Sequence, residues 1–192
     1  ERVTYKKKML SAQQEFENTK DNKYKKLISR YNNIQMARKI SLNSAYGAIG
    51  NQYFRYYDKA IAEGITKSGQ LSIRWIENRL NKYLNNILKT DEDYVIASDT
   101  DSVYLTLDKL VTKTIKSDNA LSKTINFLDK VASESIEPYI TKSYDELKQY
   151  TNAFSNKMFM KREVIADKGI WTAKKRYILN AWDVEGVRYK EP

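Results

Sequence analysis

"YVIASDTDSVYLTL", residues 94–107, decides how this chain is read. Apolar, β-branched and aromatic residues lead in from Tyr94 to Ala97 and lead out from Val103 to Leu107. Between them lies a polar centre, Asp99-Thr100-Asp101-Ser102. Two such runs around a cluster of turn formers predict a β-hairpin, with strands over residues 94–98 and 103–107. In an extended or hairpin conformation, residues i and i+2 project to the same side. Asp99 and Asp101 would then converge on one cation beside a rigid sheet. The alternative is a solvent-exposed turn, because Asp, Thr and Ser all favour turns through local side-chain hydrogen bonds. On this stretch alone both readings stand.

Working outward, the rest of the chain is mostly helical in pattern. Residues 1 to about 20 carry Val3, Leu10 and Phe16 among polar residues, and "KDNK" at 20–23 is a turn signal. A second helix is expected from Tyr24 to Asn43, with Leu27, Ile28, Tyr31, Ile34 and Ile40 as its apolar stripe. These two helices make a hairpin, and Gly47 and Gly50 break the helical pattern after it. A long helix is expected from Lys59 to Leu88, with Ile61, Ile65, Ile76, Leu80, Leu84 and Ile87 at helical spacing and Gly64 and Gly69 weakening its start. Residues 120–150 read as helical, divided at Pro138, and short strands separated by turns come after Met158. The expected class is α+β: a helical hairpin, then a small, mostly antiparallel sheet packed against long helices.

Composition narrows the chemistry. The 192 residues include 34 Lys plus Arg against 24 Asp plus Glu, a net charge of +10 that is spread over the chain and favours a polyanionic partner. There is no cysteine and no histidine. That excludes disulfides, thiol nucleophiles, Ser-His-Asp triads and zinc held by Cys or His. Any metal must be a hard cation held by oxygen. No apolar run approaches the roughly 20 residues that cross a bilayer, so no membrane role is expected. The chain opens on Glu1 and stops at Pro192 just after a strand-like stretch, and it reads as part of something longer.

Three further stretches bear chemistry. In "KISLNSAYG", residues 39–47, Lys39 and Asn43 share a helical face that ends near Tyr46. That face could offer a cation, an amide and a ring to a nucleotide, or it is an ordinary polar face ending at a glycine. In "ERVTYKKKM" Arg2 and Lys6 are one turn apart, suited to a triphosphate if they face Lys39, while Lys7 and Lys8 read as a solvated face. "TAKKRYIL", residues 172–179, sets Lys174, Lys175 and Arg176 beside Tyr177, as phosphate-backbone binding often does; a basic surface strand reads the same way.

In this order and spacing the stretches resemble family B DNA polymerases, in particular the replicative polymerases of large tailed bacteriophages. "NSAYGAIGNQYFRYYD", "FMKREVIADKGIWTAKKRY" and "NAWDVEGVRY" carry the resemblance to the phage proteins, which covers essentially the whole chain. It implies a fingers helical hairpin over residues 1–46. Residues 47–192 become a partial palm, lacking its N-terminal strand, the exonuclease domain and the thumb. It implies that Lys39, with Arg2 and Lys6 on the opposing helix, meets the incoming deoxynucleoside triphosphate, and that Asn43 lies along the same phosphate-facing surface. Tyr46 would lie near the nascent base pair. Asp101 is implied as the main metal ligand with Asp99 in a lesser role, for two magnesium ions that manganese could replace. Lys174, Lys175, Arg176 and Tyr177 would hold the primer–template duplex.

The resemblance also implies DNA-directed DNA polymerase activity in the cytoplasm of an infected bacterial cell. Two departures qualify it. Ser98 stands where the family usually has glycine, so the turn survives only if that residue needs no positive φ. The family's upstream D-x-x-S-L-Y-P-S motif, which holds the other catalytic aspartate, does not occur. The chain is therefore expected to need a missing N-terminal portion as partner and to be inactive alone. The alternative is a non-catalytic, basic nucleic-acid-binding module; a metal-dependent nuclease would leave the lysine-asparagine-tyrosine helix unexplained.

Overall fold

A computed structural model describes residues 1–115 and 121–191. The chain divides into two units, residues 1–65 with 163–192 and residues 66–162. It is α+β, as expected, but its strands fall into two separate antiparallel sheets rather than one.

The first unit begins with α1 (Arg2–Thr19) and α2 (Lys23–Ile49), packed as a hairpin. Lys20 ends α1 in the left-handed region, with φ 54°, and its N–H donates to the Phe16 carbonyl at 2.7 Å. Asp21 then accepts the Lys23 N–H at 2.9 Å, and that bond, with the Lys23 ammonium nearby, holds its carboxyl below the usual range. Helix α2 runs six residues past the expected Asn43. Gly47 lies inside it with open space where a Cβ would be, and the helix ends only at Gly50. Of the expected stripe, Leu27, Ile28, Tyr31 and Ile34 are half-buried, whereas Ile40 is exposed.

Strands β3 (Val164–Ala173), β4 (Arg176–Val184) and β5 (Val187–Arg188) form the sheet of this unit. Both of its turns are two-residue loops, Lys174-Lys175 and Glu185-Gly186. In the second loop both residues have positive φ, 52° and 89°, the geometry that matches the twist of flanking strands. At Gly169 any Cβ would stand 2.8 Å from the Leu179 side chain and the Trp171 ring, so only glycine lets Trp171 lie there. The sheet is tied to α1 by Gln14, which accepts the Arg188 N–H at 2.8 Å, and by Gln13, which donates to the Tyr189 hydroxyl at 2.9 Å. Asp183, fully buried, is held by Arg188 at 2.5 Å and by the Gly186 N–H at 3.0 Å.

Helix α3 (Lys59–Leu88) matches the expected span. Its part from Thr66 onward belongs to the second unit, where Ser72, Ile76, Leu80, Leu84 and Leu88 are buried at four-residue steps. Ile61, Ile65 and Ile87, expected in that stripe, are exposed. Ile76 and Leu80 form a core with Val95, Ile136, Ile140, Tyr144 and Leu147, and Leu84 and Leu88 pack with Tyr94. Each such buried side chain contributes roughly 1.5–3 kcal/mol. Burial pushes the Tyr144 phenol up to about 12. Tyr83 and Tyr139 stack with centroids 4.1 Å apart, and the Tyr139 hydroxyl donates to the Arg79 carbonyl at 3.2 Å.

The sheet of this unit is β1 (Val95–Asp99) against β2 (Ser102–Leu105), with α4 (Asp108–Thr114) next in the chain, a helix that the periodicity did not reveal. Residue 120, where the next helix was expected to start, lies outside the described residues. Helix α5 (Leu121–Val131) passes through one π-helical turn, Ala132–Ile136, into α6 (Glu137–Tyr150). Pro138 does not divide this run. It sits in the first turn of α6, where a missing N–H costs little, and the Glu137 N–H reaches back five residues to Ala132.

Candidate active site

The β1–β2 hairpin closes through a two-residue loop. Asp99 pairs with Ser102, leaving Thr100 and Asp101 as the tip. Asp99 is thus the last strand residue and half-buried, and Asp101 is the second loop residue and exposed. The strained position is Thr100, at φ 42°; Ser98 is absent from the positive-φ residues and lies in β1 opposite Val103. The condition set by the missing glycine is met. The Thr100 hydroxyl donates to Asp99 Oδ1 at 3.0 Å. Beneath the tip, Ile96 forms a bulge between the pairs Val95–Leu105 and Ala97–Tyr104.

The donors at this tip suit a hard divalent cation, being carboxylate oxygens without sulfur or nitrogen. Among the described residues no three acidic side chains gather as a ligand set. The tip thus presents the carboxylates of Asp99 and Asp101 without a third acidic side chain gathered beside them among the described residues.

The basic residues lie in the first unit. Lys39 and Asn43 stand one turn apart on the exposed face of α2, with Tyr46 a turn further on. The Tyr46 hydroxyl donates to the Ala62 carbonyl at 3.5 Å. Arg38, beside Lys39 in sequence, pairs with Glu1, beside Arg2, and its guanidinium lies 5.9 Å from the Tyr5 ring. These contacts bring the start of α1 level with Lys39 on α2. Arg2 Nε is buried without a hydrogen-bond partner. Lys6 is paired with Glu185, on the β4–β5 loop. Sequence reasoning passed over Glu185; its signal was the V-E-G-V pattern of a tight turn opposite a helix rich in lysine.

Lys174 and Lys175 are not strand residues with alternating sides, as a basic surface strand would have them. They are the exposed tip of the β3–β4 hairpin, with Lys175 at φ 64°, and Arg176 opens β4 beside them. Tyr177 is exposed next to Trp171, centroids 6.4 Å apart. Three cations and an aromatic thus share one protruding end, a form suited to tracking a phosphate backbone.

A model of the family described as DNA polymerase family B matches residues 1–188. The chain belongs to DNA polymerase family B. The DNA-directed DNA polymerase of Escherichia phage RB69 is 46% identical over 168 residues, covering 82% of this chain and 19% of that protein. That of Enterobacteria phage T4 is 43% identical over 174 residues, covering 84% of this chain and 19% of that protein. A DNA polymerase of Choristoneura biennis entomopoxvirus is 24% identical over 168 residues, 72% of this chain and 17% of its own length. This family B chain therefore spans about a fifth of the length of the phage polymerases it matches. Among its described residues no helix is long and apolar enough to cross a membrane.

Proposed function

We propose that this chain carries part of the polymerising machinery of a DNA-directed DNA polymerase, adding deoxynucleotides to a primer 3′ end. The observation that carries the reading is the pair Asp99 and Asp101, presented at a tight hairpin tip in a chain of family B. Residues 1–46 act as fingers and 47–192 as a partial palm. Asp101, with Asp99 in support, holds a divalent cation, magnesium or manganese. Two such ions, when bound, supply an activated 3′-hydroxyl and a steadied pyrophosphate leaving group. The protein's own part is positioning and charge. Lys39 and Arg2 donate charge-assisted hydrogen bonds to the triphosphate, joined by Lys6 when Glu185 releases it. Asn43 extends the same polar face, and the Tyr46 ring borders the new base pair. Lys174, Lys175, Arg176 and Tyr177 hold the primer–template backbone. The aspartate of the upstream family motif is absent from these residues, so extension needs a polypeptide that supplies it. The activity belongs in the cytoplasm of an infected bacterium, a reading supported by the phage relatives.

Primer extension with magnesium and four deoxynucleotides tests the reading. Extension is expected only when an N-terminal half bearing that aspartate is added, and Asp101→Ala should reduce it to background. The basic β3–β4 tip by itself also suits a non-catalytic nucleic-acid-binding module. Salt-sensitive duplex binding with no extension in the mixture, unaffected by Asp101→Ala, would favour that module.

A further inference from the structure

The hairpin that bears Asp99 and Asp101 has only two strands, and its outer edge has no neighbouring strand among the described residues. Such a pair is marginal unless something else fixes it. The start of β1 is held by the burial of Val95 against Ile76 and Leu80 and, through hydrogen bonds, by a side chain on α3. Asn81 Oδ1 accepts the Tyr94 N–H at 2.9 Å and the Val95 N–H at 3.1 Å, while its Nδ2 donates to Asp93 Oδ1 at 2.6 Å. Asp93 Oδ1 also accepts the Val95 N–H at 3.1 Å, closing the cluster. One helical turn on, Asn85 holds the approach to the strand. Its Oδ1 accepts the Glu92 N–H at 2.9 Å and the Thr90 hydroxyl at 3.0 Å, and its Nδ2 donates to the Glu92 carbonyl at 2.7 Å. The Thr90 hydroxyl lies 2.6 Å from that of Tyr94, which is 2% exposed. The two amides thus clasp residues 90–95 onto the helix.

We propose that Asn81 is a positioning residue for the metal-binding carboxylates, setting the register of β1 and with it the place of Asp99 and Asp101. The inference rests on the metal-binding reading of those two residues. Its physical basis is a comparison of lengths. Slipping β1 by one residue moves the tip by about 3.3 Å and reverses the face of every side chain. Metal–ligand distances tolerate about 0.2 Å. The ladder to β2 is interrupted at the Ile96 bulge, where one residue of β1 has no partner. Asn81 grips β1 immediately before that bulge.

The test is manganese binding by this chain, read from the electron paramagnetic resonance signal of free Mn2+, with amide exchange at Tyr94 and Val95 as a second readout. Asn81→Ala should weaken Mn2+ binding about tenfold, in the range for residues that orient ligands, and speed exchange at both amides. The exchange N81D with D93N keeps the acceptor for both N–H groups and reverses the direction of the side-chain bond. It should restore binding to within about threefold of wild type, since the orienting contacts are rebuilt. Wild-type Mn2+ affinity in Asn81→Ala, with Asp101→Ala abolishing binding, would overturn the positioning role and leave the metal reading intact. Unchanged binding in Asp101→Ala would overturn the metal reading, and the inference with it. Loss of helical circular dichroism in Asn81→Ala would make the residue a folding determinant and overturn its positioning role, as would a folded exchange variant that binds no better than Asn81→Ala.

Discussion

Thr100 carries the unusual backbone of the carboxylate tip, with φ at 42°. For a β-branched residue that conformation costs on the order of 1 kcal/mol, and the hydroxyl bond to Asp99 offsets part of it. Ser98 carries no such burden, lying in ordinary strand conformation opposite Val103. Ser98→Gly, which restores the family's usual residue, should therefore destabilise the chain by roughly 0.5–1 kcal/mol in thermal unfolding, since glycine loses more freedom on entering a strand. A gain in stability would move the strained position to Ser98. The aspartate pair and its tight turn were legible from residue types alone. The positive φ at Thr100 was not, because no local rule assigns that conformation to a β-branched residue. Asp99, expected in the turn, instead ends β1, since it pairs with Ser102 and only two residues separate them.

At the scale of elements, periodicity located α3 but overstated its buried face. Ile76, with no exposed surface, anchors the core of its unit, whereas Ile61, at the same helical spacing, is 52% exposed. Ile76→Ala should cost about 2–5 kcal/mol in denaturant unfolding, through lost burial and the cavity left behind. Ile61→Ala should stay within about 0.5 kcal/mol, as surface changes usually do. Equal costs would mean that Ile61 is covered in solution. The sequence cannot separate the two positions, because a stripe records which side chains could be buried and only tertiary packing decides which are. The same limit explains α2. One glycine costs a helix about 1 kcal/mol, which does not stop it at Gly47 when the flanking residues favour continuation. Pro138 likewise found a place at the start of α6 that a breaking rule does not anticipate.

For the molecule as a whole, charge and motif order said more about function than the element boundaries did. The α+β class came from alternating helical and extended patterns. The division of the strands into two sheets was hidden because a sequence does not show whether one hairpin pairs with another; every ladder here joins consecutive strands, and the two-residue loops at Asp99–Ser102 and Ala173–Arg176 close each hairpin on itself. The net charge of +10 favours a polyanionic partner without saying where it would bind. The structure gathers three cations, Lys174, Lys175 and Arg176, at one exposed end. If the two tip lysines each neutralise a phosphate, each releases counterions equivalent to about 0.9 in the slope of log K against log salt. K174Q/K175Q should then reduce that slope by about 2 and weaken two duplexes of unrelated sequence equally, because phosphate contacts carry no sequence information. Fluorescence anisotropy between about 50 and 200 mM salt measures both quantities. An unchanged slope would remove the tip from the duplex contact. A loss confined to one of the two sequences would mean that it reads bases.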